Sequence, residues 1–423
     1  MQDNRTINDI LTQPKSVEEL DIPQNILIDI LLRLLYTEGY VDFKRMSQVM
    51  RVPHALEQVL DWLRKEHLIE VSQSSTSYGP LNYIYKLTGA GEDRAREAMD
   101  RCKYIGPVPV PVNRYNEAIE LQTTGPRMVK PAQVKDTLNE LVLPAEFHRK
   151  IGPAINSAAS LFLYGPPGNG KTTISMQISK LISGTDPIWL PYALTAGGQI
   201  IQIYDRLFHQ EIEREQKNQL DGRWGLFKRP SVVVGGEMRI EALDLRWDPL
   251  ANFYEAPLQI KANGGVFLID DFGRQQASPI ELLNRWIMPL ENGVDFLRLR
   301  TGQTLVIPFR ALIIFCTNLD PYNLADEAFF RRIQMKVGIF TPDEASYKQI
   351  FKRVCKQLGI YFDQESYQHL IDRWYHQSDR PYQAVHPRDI LTILRALCVY
   401  EEKAIYLSPE LIDEACEIYF VKH

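Results

Sequence analysis

Apolar positions fall at helical spacing early in the chain: Ile26, Ile30, Leu31 and Leu34 share one face, and Gly39 supplies a stop. A short helix is predicted over Phe43 to Met50 with Met46 and Val49 inward. A third runs from about His54 to His67, with Ala55, Leu56, Val59, Leu60 and Leu63 on one side. The period then changes. Residues 68–71 and 83–87 are β-prone, and residues 74–79 between them are turn chemistry. Residues 1–20 are polar and predict a flexible extension. After the hairpin, Pro107, Pro109 and Pro111 at alternate positions predict an extended segment, either a spacer or a strand pinned along a surface. With Gly125, Pro126 and Pro131 it makes a linker over 103–135.

From about Asp136 the pattern is that of an α/β domain. A helix carrying Leu138 and Leu141 and a second over 145–157 precede apolar runs at 161–164, 266–269 and 311–316. Such runs, without alternation, suit strands buried on both faces. Residues 341–423 read as largely helical.

Composition narrows the class. The chain has 423 residues, which favours two or three domains, and 45% of them are hydrophobic, enough for substantial cores. A formal charge of -5 argues against a surface built throughout for nucleic acid or anionic membrane. Five cysteines, with no C-x-x-C pair, suggest neither a zinc ribbon nor a disulfide framework, and fit a reducing cytoplasm. No apolar run approaches membrane-spanning length and the first residues do not form a secretion signal, so the expectation is a cytoplasmic protein without membrane insertion.

The candidate chemistry centres on Gly165-Pro166-Pro167-Gly168-Asn169-Gly170-Lys171-Thr172, followed by Thr173, between an apolar run and a segment with Ile174, Ile178 and Leu181. This is strand, glycine-rich loop, helix, with the spacing G-x-x-x-x-G-K-[ST]. Loop N–H groups and the helix N-terminus surround a polyphosphate; Lys171 reaches its β- and γ-phosphates and the Thr172 hydroxyl ligates Mg2+. The run at 266–269 ends in Asp270 and Asp271, which places one acid toward the metal and leaves the other to polarise water. The run at 311–316 ends at Thr317-Asn318, where an amide can hold both γ-phosphate and water. Arg331 and Arg332 follow Asp326 to Phe330 at a predicted helix end. Arg388 opens a helix in the tail.

In this order the motifs resemble the AAA+ ATPases: Walker A at 165–172, Walker B at 266–271, sensor 1 at Asn318, an arginine finger at Arg331 or Arg332, and sensor 2 at Arg388. The resemblance covers about 136–423. It implies an α/β fold with a five-stranded parallel sheet over 136–340, a helical lid over 341–423, ATP and Mg2+ as ligands, and a ring of six subunits with sites at their interfaces. Residues 295–309 are similar to the hairpin that precedes sensor 1 in the branch with the MoxR-type chaperone ATPases, and an insert is expected around 229–257. Residues 21–102, three helices and a hairpin, resemble a winged helix-turn-helix.

Three features qualify that picture. Where most of the family has Glu, this chain has Asp271, one methylene shorter; because small misplacements cost rate, either the backbone shifts to compensate or hydrolysis is slow. Family remodelling enzymes grip polypeptide with an aromatic on the loop after the second strand; with that strand assigned to 188–194, the loop 195–198 has none. Phe253 and Tyr254 offer aromatics but read as core. The third helix of the winged region carries Glu57, Asp61, Arg64, Lys65 and Glu66, a mixture of signs that favours a protein partner over duplex DNA. The expectation is an ATPase that remodels or regulates a protein partner. The alternatives are a DNA-directed ATPase and a slow nucleotide-dependent switch.

Overall fold

The glycine-rich loop leaves a five-stranded sheet with the order Ser231–Val234, Val266–Ile269, Leu312–Thr317, Leu161–Tyr164, Met335–Gly338. Leu161–Tyr164 is parallel to both of its neighbours, with Leu161 opposite Ile314 on one side and Met335 on the other. Leu161–Leu163, Val266–Ile269 and Leu312–Thr317 are buried, as their unbroken apolar runs require. The chain has an α/β architecture, with helices following the sheet strands.

The computed structural model describes residues 6–74, 83–124, 129–144, 147–157, 160–213, 220–321, 324 and 330–421. Residues 75–79 of the expected turn, the Gly125-Pro126 pair and the stretch Asp326 to Phe329 lie outside the described residues. The chain forms two compact units. One comprises Met1–Pro126, Ile182–Phe267 and Gln276–Ile313; the other comprises Arg127–Leu181, Leu268–Gln275 and Ile314–His423.

In the first unit, helices Gln24–Glu38, Phe43–Met50 and Pro53–Lys65 form where the apolar spacing predicts them. Gly39, at φ +77°, ends the first helix, and Asp42 caps the second by accepting from the Arg45 N–H at 2.7 Å. An antiparallel sheet, ordered Val41–Asp42, Tyr83–Leu87, Ile69–Ser74, packs with them around Leu31, Met46, Leu56, Leu60 and Tyr85.

Three expectations need correction in this unit. Residues 6–20 are anchored rather than flexible: Ile10, Leu11 and Leu20 are buried, and the Leu11 carbonyl accepts from the Asp221 N–H at 2.7 Å. Ile10 and Leu11 join a core with Val110, Tyr115 and Trp224, while Leu20 joins the helical core with Leu27 and Leu31. Residues 103–124 are not a free linker. Val110–Pro111 pairs in parallel with Ala193–Ala196, and Val112–Thr123 is a helix that buries Tyr115, Ala118 and Ile119. The pinned-strand alternative is the one observed.

The third correction concerns the stretch 188–194. It breaks at Tyr192: Ile188–Pro191 pairs with Trp224–Phe227, and Ala193–Ala196 turns back on Gln199–Gln202. The place beside Val266–Ile269 is taken instead by Ser231–Val234, whose three valines favour a strand. The loop after that strand, Gly235 to Arg239, also lacks an aromatic. Residues 246–248 and 253–255 join the Val110 sheet, and Tyr254 is core, 2% exposed. The hairpin Val294–Arg298 with Thr304–Pro308 forms as expected.

In the second unit, helices Glu344–Leu358, Gln364–Ile371, His386–Tyr400 and Pro409–Tyr419 enclose a core that includes Phe351, Leu370, Leu394 and Ile412. Within it the Tyr375 hydroxyl lies 2.6 Å from that of Tyr347 and 2.9 Å from His386 Nδ1. Burial lowers the His386 pKa to about 4, so the ring is neutral near pH 7. Among the described residues no helix is long and apolar enough to cross a membrane.

Candidate functional site

The loop 165–170 bends through backbone angles that side chains disfavour: φ is +135° at Gly165, +76° at Gly168 and +89° at Gly170. A Cβ on Gly165 would collide with the Ile339 carbonyl, so the loop needs glycine there for close approach as well. The turn delivers the chain into the helix Lys171–Ser183, whose first N–H groups have no intrahelical partner. That helix end and the loop form one wall of a pocket of about 450 Å³.

Lys171 is 5% exposed, and its Nζ donates to the Gly165 and Pro166 carbonyls, each at 2.8 Å. Burial lowers its pKa, while Asp271 and Asp270 act in the opposite sense. Thr172 Oγ1 donates at 3.0 Å to the Asp270 carboxylate, equidistant from its two oxygens. Asn318 Nδ2 donates to Asp271 Oδ1 at 2.8 Å. The motifs after three separate strands therefore meet at one place.

Asp271 has φ +49°, left-handed backbone that is uncommon for a residue with a side chain. Phe272 beside it is fixed from both sides: its N–H donates to the Cys316 carbonyl at 2.6 Å and its carbonyl accepts from Thr317 Oγ1 at 2.7 Å. Cys316 lines the pocket, but burial pushes its thiol up to about 12, so it stays protonated and unreactive.

Thr173 and Arg388 also line the pocket; Arg388 Nε donates to Asp389 at 3.1 Å. Pro166 and Pro167 are exposed on the loop and do not line it. Arg331 is exposed, Arg332 is half-buried, and neither is brought to this chain's pocket.

Sequence reasoning assigned no specific contact to Asn169. This residue is 6% exposed, and its Oδ1 accepts from the Ala384 N–H at 3.2 Å, while the Gly168 carbonyl accepts from the Val385 N–H at 2.9 Å. The loop is thus hydrogen-bonded to the residues just before the Arg388 helix. An apolar wall of Val142, Leu143, Ile350 and Val354 completes the pocket. No local motif marks it, because those residues come from two distant stretches.

The Thr172 hydroxyl and Asp270 carboxylate are hard oxygen donors, the chemistry that suits Mg2+ rather than a soft metal. Among the described residues no group of three or more His, Cys, Asp and Glu side chains gathers as a metal site. Mg2+ generally takes one or two carboxylates together with substrate phosphates and water, so this sparse pair fits it.

Comparison with known proteins adds sequence likeness. The chain is 27% identical over 222 residues to a vesicle-fusing ATPase of Dictyostelium discoideum, a match covering 50% of this chain and 23% of that protein. A family model described as a domain of unknown function, DUF8689, matches residues 343–418, the helical end of the chain. Among solved structures, NtrX from Brucella abortus in complex with ADP aligns at 13% identity and a TM-score of 0.38, covering 67% of this chain and 54% of that one. The Thermotoga maritima RuvB Holliday junction branch migration motor aligns at 14% and 0.35, covering 69% and 70%. The likeness to the vesicle-fusing ATPase, joined to the motifs above, supports an AAA+ P-loop assignment.

Proposed function

We propose that the chain is an AAA+ ATPase that binds ATP with Mg2+ and hydrolyses it to ADP and phosphate, coupling the cycle to a protein partner. The observation that carries this reading is the meeting of Lys171, Thr172, Asp270, Asp271, Asn318 and Arg388 around one pocket.

The bound triphosphate replaces the Gly165 and Pro166 carbonyls as the partner of Lys171, whose charge then offsets that of the β- and γ-phosphates. Thr172 and Asp270 would hold Mg2+, which would supply charge neutralisation at the phosphate oxygens. Asp271 orients the attacking water and accepts its proton, and Asn318 holds that carboxylate before turning to the γ-phosphate. Arg388 faces the phosphates from the helical segment. Arg331 or Arg332 acts in the pocket of a neighbouring subunit, which fits their absence from their own and calls for a ring, of six in the family pattern.

The Asn318 contact also favours a slow cycle. It engages the carboxylate that must meet water, and Asp271 has less reach than Glu. Residues 21–102, taken as a winged helix, are proposed as the adaptor for a protein partner; the mixed charge of Pro53–Lys65 supports this over duplex DNA. The site is proposed to work in the cytoplasm.

The test is ATP turnover with Mg2+, alongside binding of a fluorescent ATP analogue. Lys171→Ala should cut turnover by roughly a hundredfold or more, as loss of a preorganised charge does. Parental turnover in that variant would exclude the pocket as the hydrolytic site.

A further inference from the structure

We infer that Gln275 is a positioning residue for Asp271, holding the water-orienting carboxylate in place through the backbone rather than by touching it. This rests on the role given to Asp271 in the proposed function.

Gln275 Nε2 donates to the Asp270 carbonyl at 2.9 Å and to the Asp271 carbonyl at 3.2 Å, while its Oε1 accepts from the Gly273 N–H at 2.8 Å. One side-chain amide thus ties together the turn that carries both acids. The turn needs support. Asp271 sits at φ +49° and Gly273 at φ +100°, and left-handed backbone is strained for a residue with a Cβ such as Asp271. The Arg274 N–H adds a bond to the Asp271 carbonyl at 3.0 Å, but this is local to the turn. Phe272 is anchored to Cys316 and Thr317, so the peptide left for a further clasp is the one between Asp270 and Asp271. That is where Gln275 binds.

The chemistry requires an amide of this length. Glutamate would keep an acceptor for Gly273 but could not donate to two carbonyls, and asparagine is one methylene short. The clasp also bears on the Asp271 departure. A shorter carboxylate has fewer side-chain torsions with which to find its place, so its position beside Asn318 is set more by backbone. Gln275 fixes that backbone.

The experiment measures kcat, KM, affinity for a fluorescent ATP analogue and melting temperature for the full chain, its Gln275→Ala and Gln275→Glu variants, Asp271→Ala, and the double variant Asp271→Ala/Gln275→Ala. Gln275 is half-buried on a surface turn, so folding should survive in each. Gln275→Ala should lower kcat about tenfold, less than the hundredfold that a displacement of about 1 Å can cost, and leave KM and nucleotide affinity unchanged. Gln275→Glu should fall in the same direction. In the Asp271→Ala background, the Gln275 change should have no further effect, which a merely structural role would not produce. A parental kcat in Gln275→Ala, with Asp271→Ala slow, would overturn the positioning role and leave that of Asp271 standing. An equal loss in both backgrounds would do the same. Parental turnover in Asp271→Ala would instead remove Asp271 from the mechanism, and the Gln275 role with it.

Discussion

In the unit that carries the pocket, the key side chains follow apolar strands closely: Asp270 comes directly after Val266–Ile269, and Asn318 directly after Leu312–Thr317. In the other unit, the contacts that define the structure join residues with no common motif. Arg223 is fully buried, its Nε donates to the Asp221 carboxylate at 3.1 and 3.0 Å, and its Nη1 donates to the Leu20 carbonyl at 3.2 Å. Arg51 Nη1 donates to the Tyr192 hydroxyl at 2.7 Å, and the Tyr104 and Phe253 rings meet edge to face. Chemistry needs fixed residue types at strand ends, whereas packing needs only a complementary surface. The first leaves a trace in sequence and the second does not.

The sharpest way to break this contrast is at Arg223. Replacing it by Ala leaves Asp221 buried without its partner, and the expected cost is about 3–5 kcal/mol. Chemical denaturation of the parent and the variant measures it. A loss no larger than that of a surface substitution would mean that the buried pair does not hold the first unit together.

The limits of the sequence follow the same division. The helices Gln24–Glu38 and Phe43–Met50 were legible because period, caps and stops lie within each segment. The run 188–194 was misplaced because local propensity cannot choose between two strand partners, and Ser231–Val234 won the position beside Val266–Ile269. Residues 6–20 read as flexible because Ile10, Leu11 and Leu20 are too few to mark a core by themselves. At the pocket, the motif residues were legible, but the clasp of Asn169 on Ala384 was not, since an asparagine in a glycine-rich loop looks like turn chemistry.

Acid probes both units through one histidine in each. Burial lowers His209 and His386 to about 4, against the ordinary 6.5. At His209 the hydrogen bond to the Lys261 carbonyl and the Asp205 charge oppose the shift, while the Lys261 ammonium adds to it; at His386, Arg380 adds to it and Asp389 opposes it. Both rings are neutral in the fold, and the unfolded chain takes up protons first as pH falls. Their stabilising contribution is therefore complete above 6.5 and declines toward about 4. Melting temperature should fall across that window at constant ionic strength. His209→Gln and His386→Gln should each flatten the fall, and an unchanged slope in both variants would assign it to other groups.

The smallest expected effects test whether local signals weigh equally in the two units. Thr88 Oγ1 accepts from the Gly91 N–H at 3.1 Å in the first, and Asp343 Oδ1 accepts from the Ser346 N–H at 2.8 Å in the second. Each caps a helix start, so Thr88→Ala and Asp343→Ala should each cost about 1 kcal/mol by denaturation. Similar values would show that the units differ in their long-range contacts and not in how their helices begin. If Thr88→Ala cost as much as Arg223→Ala, helix starts would dominate the first unit, and the contrast between local and distant determinants would fail there.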